Sequence, residues 1–378
     1  MRILIGADIV PTPSNFSVFS EANAEILLKG GLREQLSEAD FRVFNLEVPL
    51  ADAKTPIEKY GEALLAPRAT VAGLRAIGVD LVTLANNHIL DHGAEGLYST
   101  MELLDTVGIA HCGAGKTPEA AAEPWILEKD GKKVGFYCCA EHEFSIVTQS
   151  TPGANPFDPL WSLDHIRQLK ARCDCVVVLY HGGKEHYRYP SPMLQKVCRR
   201  MVEVGADLVI CQHTHCIGSQ EQYAGGTIVY GQGNFLFDEE DNELWSTSLL
   251  VALNDDGGKW QVEYIPLCKA GAAVSAAGRQ DAIQIMEDFR IRSQQIQEPG
   301  FVEKNYADFA REELHSCYGK VMGRYVFFLY RVLNKLSGGR LRWRWYGKAD
   351  ALALINLLEC EPHREVFATG LREMLAHK

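Results

Sequence analysis

The 378-residue chain predicts an α/β protein with a helical C-terminal region, and three observations carry that expectation. Near-continuous Val/Ile/Leu runs recur through residues 1–270 and alternate with helix-spaced segments, as strands buried on both faces of a sheet require. Five of these runs end in polar residues able to bind a metal or a substrate. Beyond residue 279 strand signals become scarce and helical spacing takes over. We therefore expect one domain over 1–270 and a helical region over 279–378, joined by the small-residue stretch Gly271–Gly278.

Taken in order, the strand Arg2–Ala7 ends at Asp8, and Glu21–Leu36 has helical spacing. Phe41–Leu46 is a second strand, with Asn45 and Glu47 at its end. Pro67–Ile77 is helical with proline in the first turn, and leads into the strand Asp80–Ala85, which delivers Asn86, Asn87 and His88. Gly93–Val107 is helical and closed by Gly108. Trp125–Leu127 and Lys133–Cys139 flank Asp130-Gly131, a hairpin turn signal. Asp164–Ala171 is helical, and the strand Asp174–Tyr180 ends at His181. Pro192–Val204 is a helix capped by Gly205, and the next strand runs to Gln212-His213-Thr214-His215. Thr227–Tyr230, Thr247–Ala252 and Trp260–Leu267 complete the strands. Asp281–Gln297, Val302–Cys317, Val321–Leu336, Ala349–Leu358 and Glu365–Leu375 are helical.

Composition narrows the class. A hydrophobic content of 47% with 23% charged residues belongs to a globular chain rather than a disordered one. The eleven cysteines are odd in number, form no Cys-x-x-Cys pair and fall largely in apolar runs, so we expect buried reduced thiols. Met1 leads directly into a strand, with no secretory leader pattern, and no run reaches the ~20 apolar residues of a bilayer span. The expectation is a cytoplasmic protein, peripheral at most to the inner face of a membrane.

Charge is uneven. Tyr318–Lys348 holds eight Lys/Arg and no Asp or Glu, so a net charge of −11 leaves −19 on the remainder. This stretch reads first as a cationic helix face against the acidic remainder. Next to that stands peripheral contact with an anionic membrane or polyanionic glycan; specific nucleic-acid binding is not expected.

Ligands of α/β sheets bind outside the carboxyl ends of the strands, so Asp8, Glu47, Asn87, His88, His181, His213 and His215 are expected at one sheet edge. In an extended segment, residues i and i+2 face the same way, which lets His213 and His215 address one point. Each residue also has a purely structural reading: a turn histidine, a helix-capping Asp8, turn-forming Asn45 and Asn87. The recurrence of the pattern favours a site. Carboxylate, amide and imidazole together suit a divalent transition metal such as Mn, Fe or Zn.

These blocks, with Ala85-Asn86-Asn87-His88-Ile89-Leu90-Asp91, His181-Gly182-Gly183-Lys184-Glu185 and Tyr230-Gly231-Gln232-Gly233-Asn234, carry a resemblance over roughly residues 3–238. The chain resembles the CapA family of capsule and poly-γ-glutamate synthesis, within the calcineurin-like metallophosphoesterase superfamily. The resemblance implies a four-layer α/β/β/α sandwich with a C-terminal helical appendage and a dinuclear centre. By that likeness Asp8 and His215 hold the first metal, Glu47 bridges, and Asn87, His181 and His213 hold the second. His88 stands near the scissile bond as general acid or charge stabiliser, with Asp91 fixing its tautomer. Asn45, Asn234 and Glu185 are expected beside the metals or the substrate, Glu185 by orienting His181 or contacting substrate.

Where the wider superfamily has Asp-x-His, this chain has Asp8-Ile9-Val10, which removes one ligand of the first metal. The family's common His-Trp-Gly is His181-Gly182-Gly183, which opens the pocket. The implied function is a metal-dependent, phosphoesterase-like hydrolase in capsule or envelope polymer biosynthesis, acting on an anionic small molecule or polymer beside the synthesis machinery. Two alternatives stay open: a non-hydrolytic accessory protein binding an anionic polymer or synthase, and a metal-dependent amide or γ-glutamyl hydrolase.

Overall fold

The computed structural model describes residues 1–238, 242–343, 345 and 347–376. Contacts divide the chain into two compact units, Met1–Tyr306 and Ala307–Lys378.

In the first unit the described residues form two large sheets. The nine-stranded sheet runs Leu28–Lys29, Ala273–Ala276, Lys259–Ala270, Thr247–Asp256, Arg2–Val10, Phe41–Leu46, Leu81–Thr83, Ala110–Cys112, with Asn234–Phe237 also on Arg2–Val10. The six-stranded sheet runs Gln220–Tyr223, Gly226–Val229, Leu208–Gln212, Cys175–His181, Lys132–Ala140, Trp125–Lys129. Alternate residues of each strand enter different cores, as a period of two demands. Ile3, Ile5, Val43 and Leu81 meet Phe136, Val177, Leu179 and Ile210 between the sheets. Leu4, Phe44 and Val82 turn outward onto helical residues Phe19, Leu74, Leu97 and Leu104. Tyr137, Val176, Val178 and Val209 turn outward on the other side, onto Ile166, Leu169, Leu194 and Met201. The result is the expected order of layers, helix, sheet, sheet, helix.

Register sets the site. In the parallel centre of the first sheet Asp8 stands between Asn45 and Asn234, and Asn45 is level with Thr83. In the second sheet Ala140, His181 and Gln212 are level. Every chain end that could carry chemistry therefore leaves its sheet at one edge.

Local expectations differ at three places. The helix expected over Glu21–Leu36 is broken into Ala24–Leu27, the short strand Leu28–Lys29 and Leu32–Ser37. Gly30 and Gly31 take positive φ (62° and 77°) there, and Leu28–Lys29 pairs with Val274–Ser275, which outweighs the helical spacing. The expected linker 271–278 contains that partner strand, Ala273–Ala276. The helix Arg279–Gln295 then packs Ile285 and Phe289 on Ile217 and Leu249, so the units divide at 306/307 rather than at 271–278.

The hairpin at Asp130-Gly131 forms with both residues at positive φ (52° and 73°). The cysteines are free thiols, eight of them buried.

The second unit contains the helices Arg324–Leu336, Lys348–Glu359 and Glu361–Ala376, with Gly323 (φ 75°) ending Phe301–Met322. The cationic stretch 318–348 lies partly outside the described residues, at Arg344 and Tyr346 and at the side chains of Lys320, Arg324 and Arg342. No helix among the described residues is long and apolar enough to cross a membrane.

Candidate metal centre

Two groups of ligand-type atoms share one residue. Asp8, Glu47 and His215 lie within 4.8 Å of one another, and so do Glu47, His181 and His213. Glu47 belongs to both, and all five side chains are buried. Asn87 joins the second group, its Oδ1 3.0 Å from His181 Nε2. The structure thus brings together all six residues singled out as ligands.

The supports are also at hand. Asn45 donates to Asp8 Oδ1 at 2.7 Å and stands 3.2 Å from His181 Nδ1, while its own Oδ1 accepts from Asn86 at 3.1 Å. Asn45 thereby orients a carboxylate of one group and an imidazole of the other. Asn234 Oδ1 lies 2.9 Å from His215 Nδ1, and Trp245 covers that ring at 4.7 Å between centroids. His213 and His215 both take positive φ (84° and 53°), a strained turn of the kind found at functional sites. Glu185 is exposed, with its carboxylate within 4.8 Å of His213 and His215. The polar contacts on His181 come from Asn45, Asn87 and Glu47 rather than from Glu185.

His88 Nδ1 is 2.6 Å from Asp91 Oδ2. Asp91 is fully buried and holds Lys59 Nζ at 2.5 Å and the Leu64 amide at 2.6 Å. Lys59 is itself buried, and its Nζ is 3.4 Å from His88 Nδ1.

Three contributors escaped the sequence reading. Lys59 sits in an irregular loop and leaves no pattern. Glu141 accepts from the Gly183 amide at 3.0 Å and faces His213 Nε2 at 3.4 Å; Glu143 accepts from Asn87 Nδ2 at 3.0 Å. These two follow the apolar strand Lys132–Ala140, so they repeat the strand-then-polar pattern, but that strand was read only as half of a hairpin. In the loop after His181, His186 accepts from Trp245 Nε1, Tyr187 bonds Asn305 and Arg188 pairs with Glu243.

Electrostatics follow from burial and mixed charge. Burial alone would push His215 down, but Glu47 and Asp8 outweigh it and hold its pKa up to about 9. His181 is likewise pushed down by burial and carried upward by Glu47 and Asp8. Burial, together with the neighbouring His181 and His215, takes His213 well below the ordinary histidine range. Burial raises Asp8, but contact with His215 and the nearby imidazoles bring it below its usual value. Burial raises Glu141.

The unpaired atoms test whether a cation fits. Asp8 Oδ2, both carboxylate oxygens of Glu47 and His213 Nδ1 are buried without a well-formed hydrogen bond, the nearest imidazoles being His215 Nδ1 at 3.5 Å from Asp8 Oδ2 and His181 Nε2 at 3.2 Å from Glu47 Oε1. An unpaired buried carboxylate costs several kcal/mol, at roughly the scale of its desolvation, unless a cation meets it. Carboxylate oxygen, amide oxygen and imidazole nitrogen are the donors that first-row divalent ions take. The donor types in both groups therefore fit divalent ions of this kind.

The mixed four-layer sandwich thus carries a His/Asp/Glu/Asn cluster at the carboxyl ends of its strands. The chain belongs to the bacterial capsule synthesis protein PGA_cap family, whose model matches residues 19–239. It is 29% identical over 241 residues to the capsule biosynthesis protein CapA of Bacillus anthracis, covering 61% of this chain and 59% of that protein. It is also 29% identical over 234 residues to the PGA biosynthesis protein CapA of Bacillus subtilis (strain 168), covering 61% of each. The match thus spans about three fifths of each of these relatives. Among solved structures it is similar to a phosphatase of Mycoplasma pneumoniae, at 12% identity and TM-score 0.43 over 72% of this chain and 94% of that one.

Proposed function

We propose that this protein is a metal-dependent hydrolase of phosphoesterase type that acts in capsule or envelope polymer biosynthesis. The observation that carries the reading is the pair of ligand groups sharing the buried Glu47. The capsule and PGA biosynthesis roles for which the two Bacillus relatives are named support the biological setting.

Asp8, Glu47 and His215 would hold one ion, and Glu47, Asn87, His181 and His213 the other. When bound, such ions supply Lewis-acid polarisation of a phosphoryl or acyl oxygen and activation of water at neutral pH. The chain's own residues do the rest. Asn45 and Asn234 keep Asp8 and His215 aimed inward. Glu141 and Glu143 do the same for His213 and Asn87. Asp91 engages His88 Nδ1, which leaves Nε2 to give a proton to the leaving group or to meet its charge. Lys59 pairs with the buried Asp91 carboxylate at 2.5 Å and so balances its charge beside His88.

The test is hydrolysis of bis(p-nitrophenyl) phosphate and of γ-glutamyl oligomers by protein loaded with Mn, Fe or Zn. Phosphodiester turnover lost in His181→Ala and reduced by about 10²–10⁴-fold in His88→Ala is the expected result. Turnover of γ-glutamyl oligomers alone would assign an amide hydrolase. No turnover of either by fully loaded protein would overturn the hydrolase and leave an accessory binding protein.

A further inference from the structure

We propose that the helix Arg324–Leu336 lies in the surface of an anionic lipid membrane, its apolar face among the acyl chains and its cations on the headgroups. The inference is independent of the metal centre and of hydrolysis.

The helix closes one side and leaves the other open. Tyr330 is fully buried, stacked with Phe327 at 5.9 Å between centroids and meeting Trp345 edge-on at 4.9 Å. Trp345 thereby ties the basic segment after the helix to its closed side. On the open side Tyr325, Phe328, Leu329, Val332 and Leu336 are exposed by 88%, 69%, 55%, 42% and 79%. A helix turns by about 100° per residue, so these five fall on one stripe about 100° wide. Arg331 and Lys335, four residues apart and both exposed, run along one border of it.

Such a stripe is unusual for a surface that faces water, where large apolar side chains stand scattered. No described helix of the first unit exposes more than two large apolar side chains. The helix Glu361–Ala376 exposes several, Phe367 and Leu371 among them, but it carries Glu361, Glu365 and Glu373, which an anionic surface repels. Around Arg324–Leu336 the charge has one sign: residues 318–348 hold eight Lys/Arg and no Asp or Glu.

That charge selects the occupant. A second copy docked on the same face would set these cations against their own copies. A soluble polyanion would meet the cations and leave the stripe in water. An anionic bilayer meets both, because acyl chains take Phe328 and Leu329 while Arg331 and Lys335 extend along their stems to the phosphates. The helix has 13 residues and is about 20 Å long, short of the ~30 Å hydrocarbon core, so it lies in the plane of the surface rather than crossing it.

The experiment is co-sedimentation of the full chain with vesicles of phosphatidylcholine alone and of equal parts phosphatidylcholine and phosphatidylglycerol, at low and high salt. Wild type is expected to bind the mixed vesicles at least about tenfold more tightly than the neutral ones, and to weaken with salt. Phe328→Glu with Leu329→Glu should lower binding by about tenfold or more, and Arg331→Gln with Lys335→Gln by about thirtyfold. Ile283→Glu, at an exposed position on a helix of the first unit, should leave it unchanged. Circular dichroism and melting check that each variant is folded. Absence of binding to mixed vesicles would overturn the proposal, as would equal binding to neutral ones or binding indifferent to Phe328→Glu with Leu329→Glu. A dimer in sedimentation velocity that these substitutions dissolve, without vesicle binding, would assign the face to a second copy instead. Binding to soluble poly-glutamate that ignores the apolar substitutions, again without vesicle binding, would assign it to a polyanion.

Discussion

At the scale of single residues the site is a balance of buried carboxylates and imidazoles. In metal-free protein at neutral pH His215 carries a proton, since its pKa stands near 9 beside Asp8 and Glu47. Metal ligation requires the neutral ring, so uptake at pH 7 should expel that proton. The apparent affinity of the Asp8–Glu47–His215 position should therefore rise by about tenfold per pH unit and level off near pH 9. Calorimetry at pH 7 in buffers of different ionisation enthalpy measures the released proton; zero release would contradict the charge state. The same shift fixes the sign for stability. The folded value lies above the ordinary 6.5, so this contribution is complete below 6.5 and is lost as pH rises through 9. Asp8, which is lowered, acts in the other window: its contribution is present above 3.8 and falls away in acid. Six ligand-type residues were legible from the strand-then-polar pattern. Lys59 was not, because a lysine reaching inward from an irregular loop has no periodicity to betray it.

At the scale of elements, the helix Arg279–Gln295 shows how a segment outside the motifs stabilises the frame that carries them. Its Phe289, 2% exposed, packs with Ile285 on Ile217 and Leu249. Arg292 donates to Gly218 O at 2.8 Å and Ser293 Oγ accepts from Gln220 N at 2.9 Å, on the segment that leaves the strained histidine turn. Phe289→Ala should cost about 3–5 kcal/mol in denaturant unfolding, the usual cost of emptying a buried aromatic site. Ile283→Ala on the same helix, 62% exposed, should cost no more than about 0.5 kcal/mol. Equal effects would mean that the helix does not pack as described. Its helical spacing was plain in the sequence. Its membership of the first unit was not, because local periodicity says that a face is apolar without saying what covers it. The same limit explains Leu28–Lys29, where pairing with a strand some 250 residues later overrode a helical pattern.

At the scale of the whole molecule, the division at 306/307 makes a direct prediction. A chain ending at residue 306 should unfold cooperatively, with the near-UV circular dichroism of a packed core, and keep the metal stoichiometry of the full chain. A chain ending at 278 should not, since it loses Ile285, Phe289, Ile296 and Val302 from two cores. Proteolysis resistance and melting of the two truncated chains would decide this. Composition and strand pattern alone determined the α/β class, the parallel strands and the residues able to bind metal. Each of those properties is written in the alternation and termination of short segments. Only the tertiary structure decided which ligand-type atoms lie together, that Glu47 belongs to two groups, and that Glu141, Glu143 and Lys59 stand beside them. It also decided that the loop after His181 lies against the His213–His215 turn, bringing Glu185 to the site. Those relations depend on register across two sheets and on loop paths, and distances between segments far apart in the chain are set by packing, which no local pattern encodes.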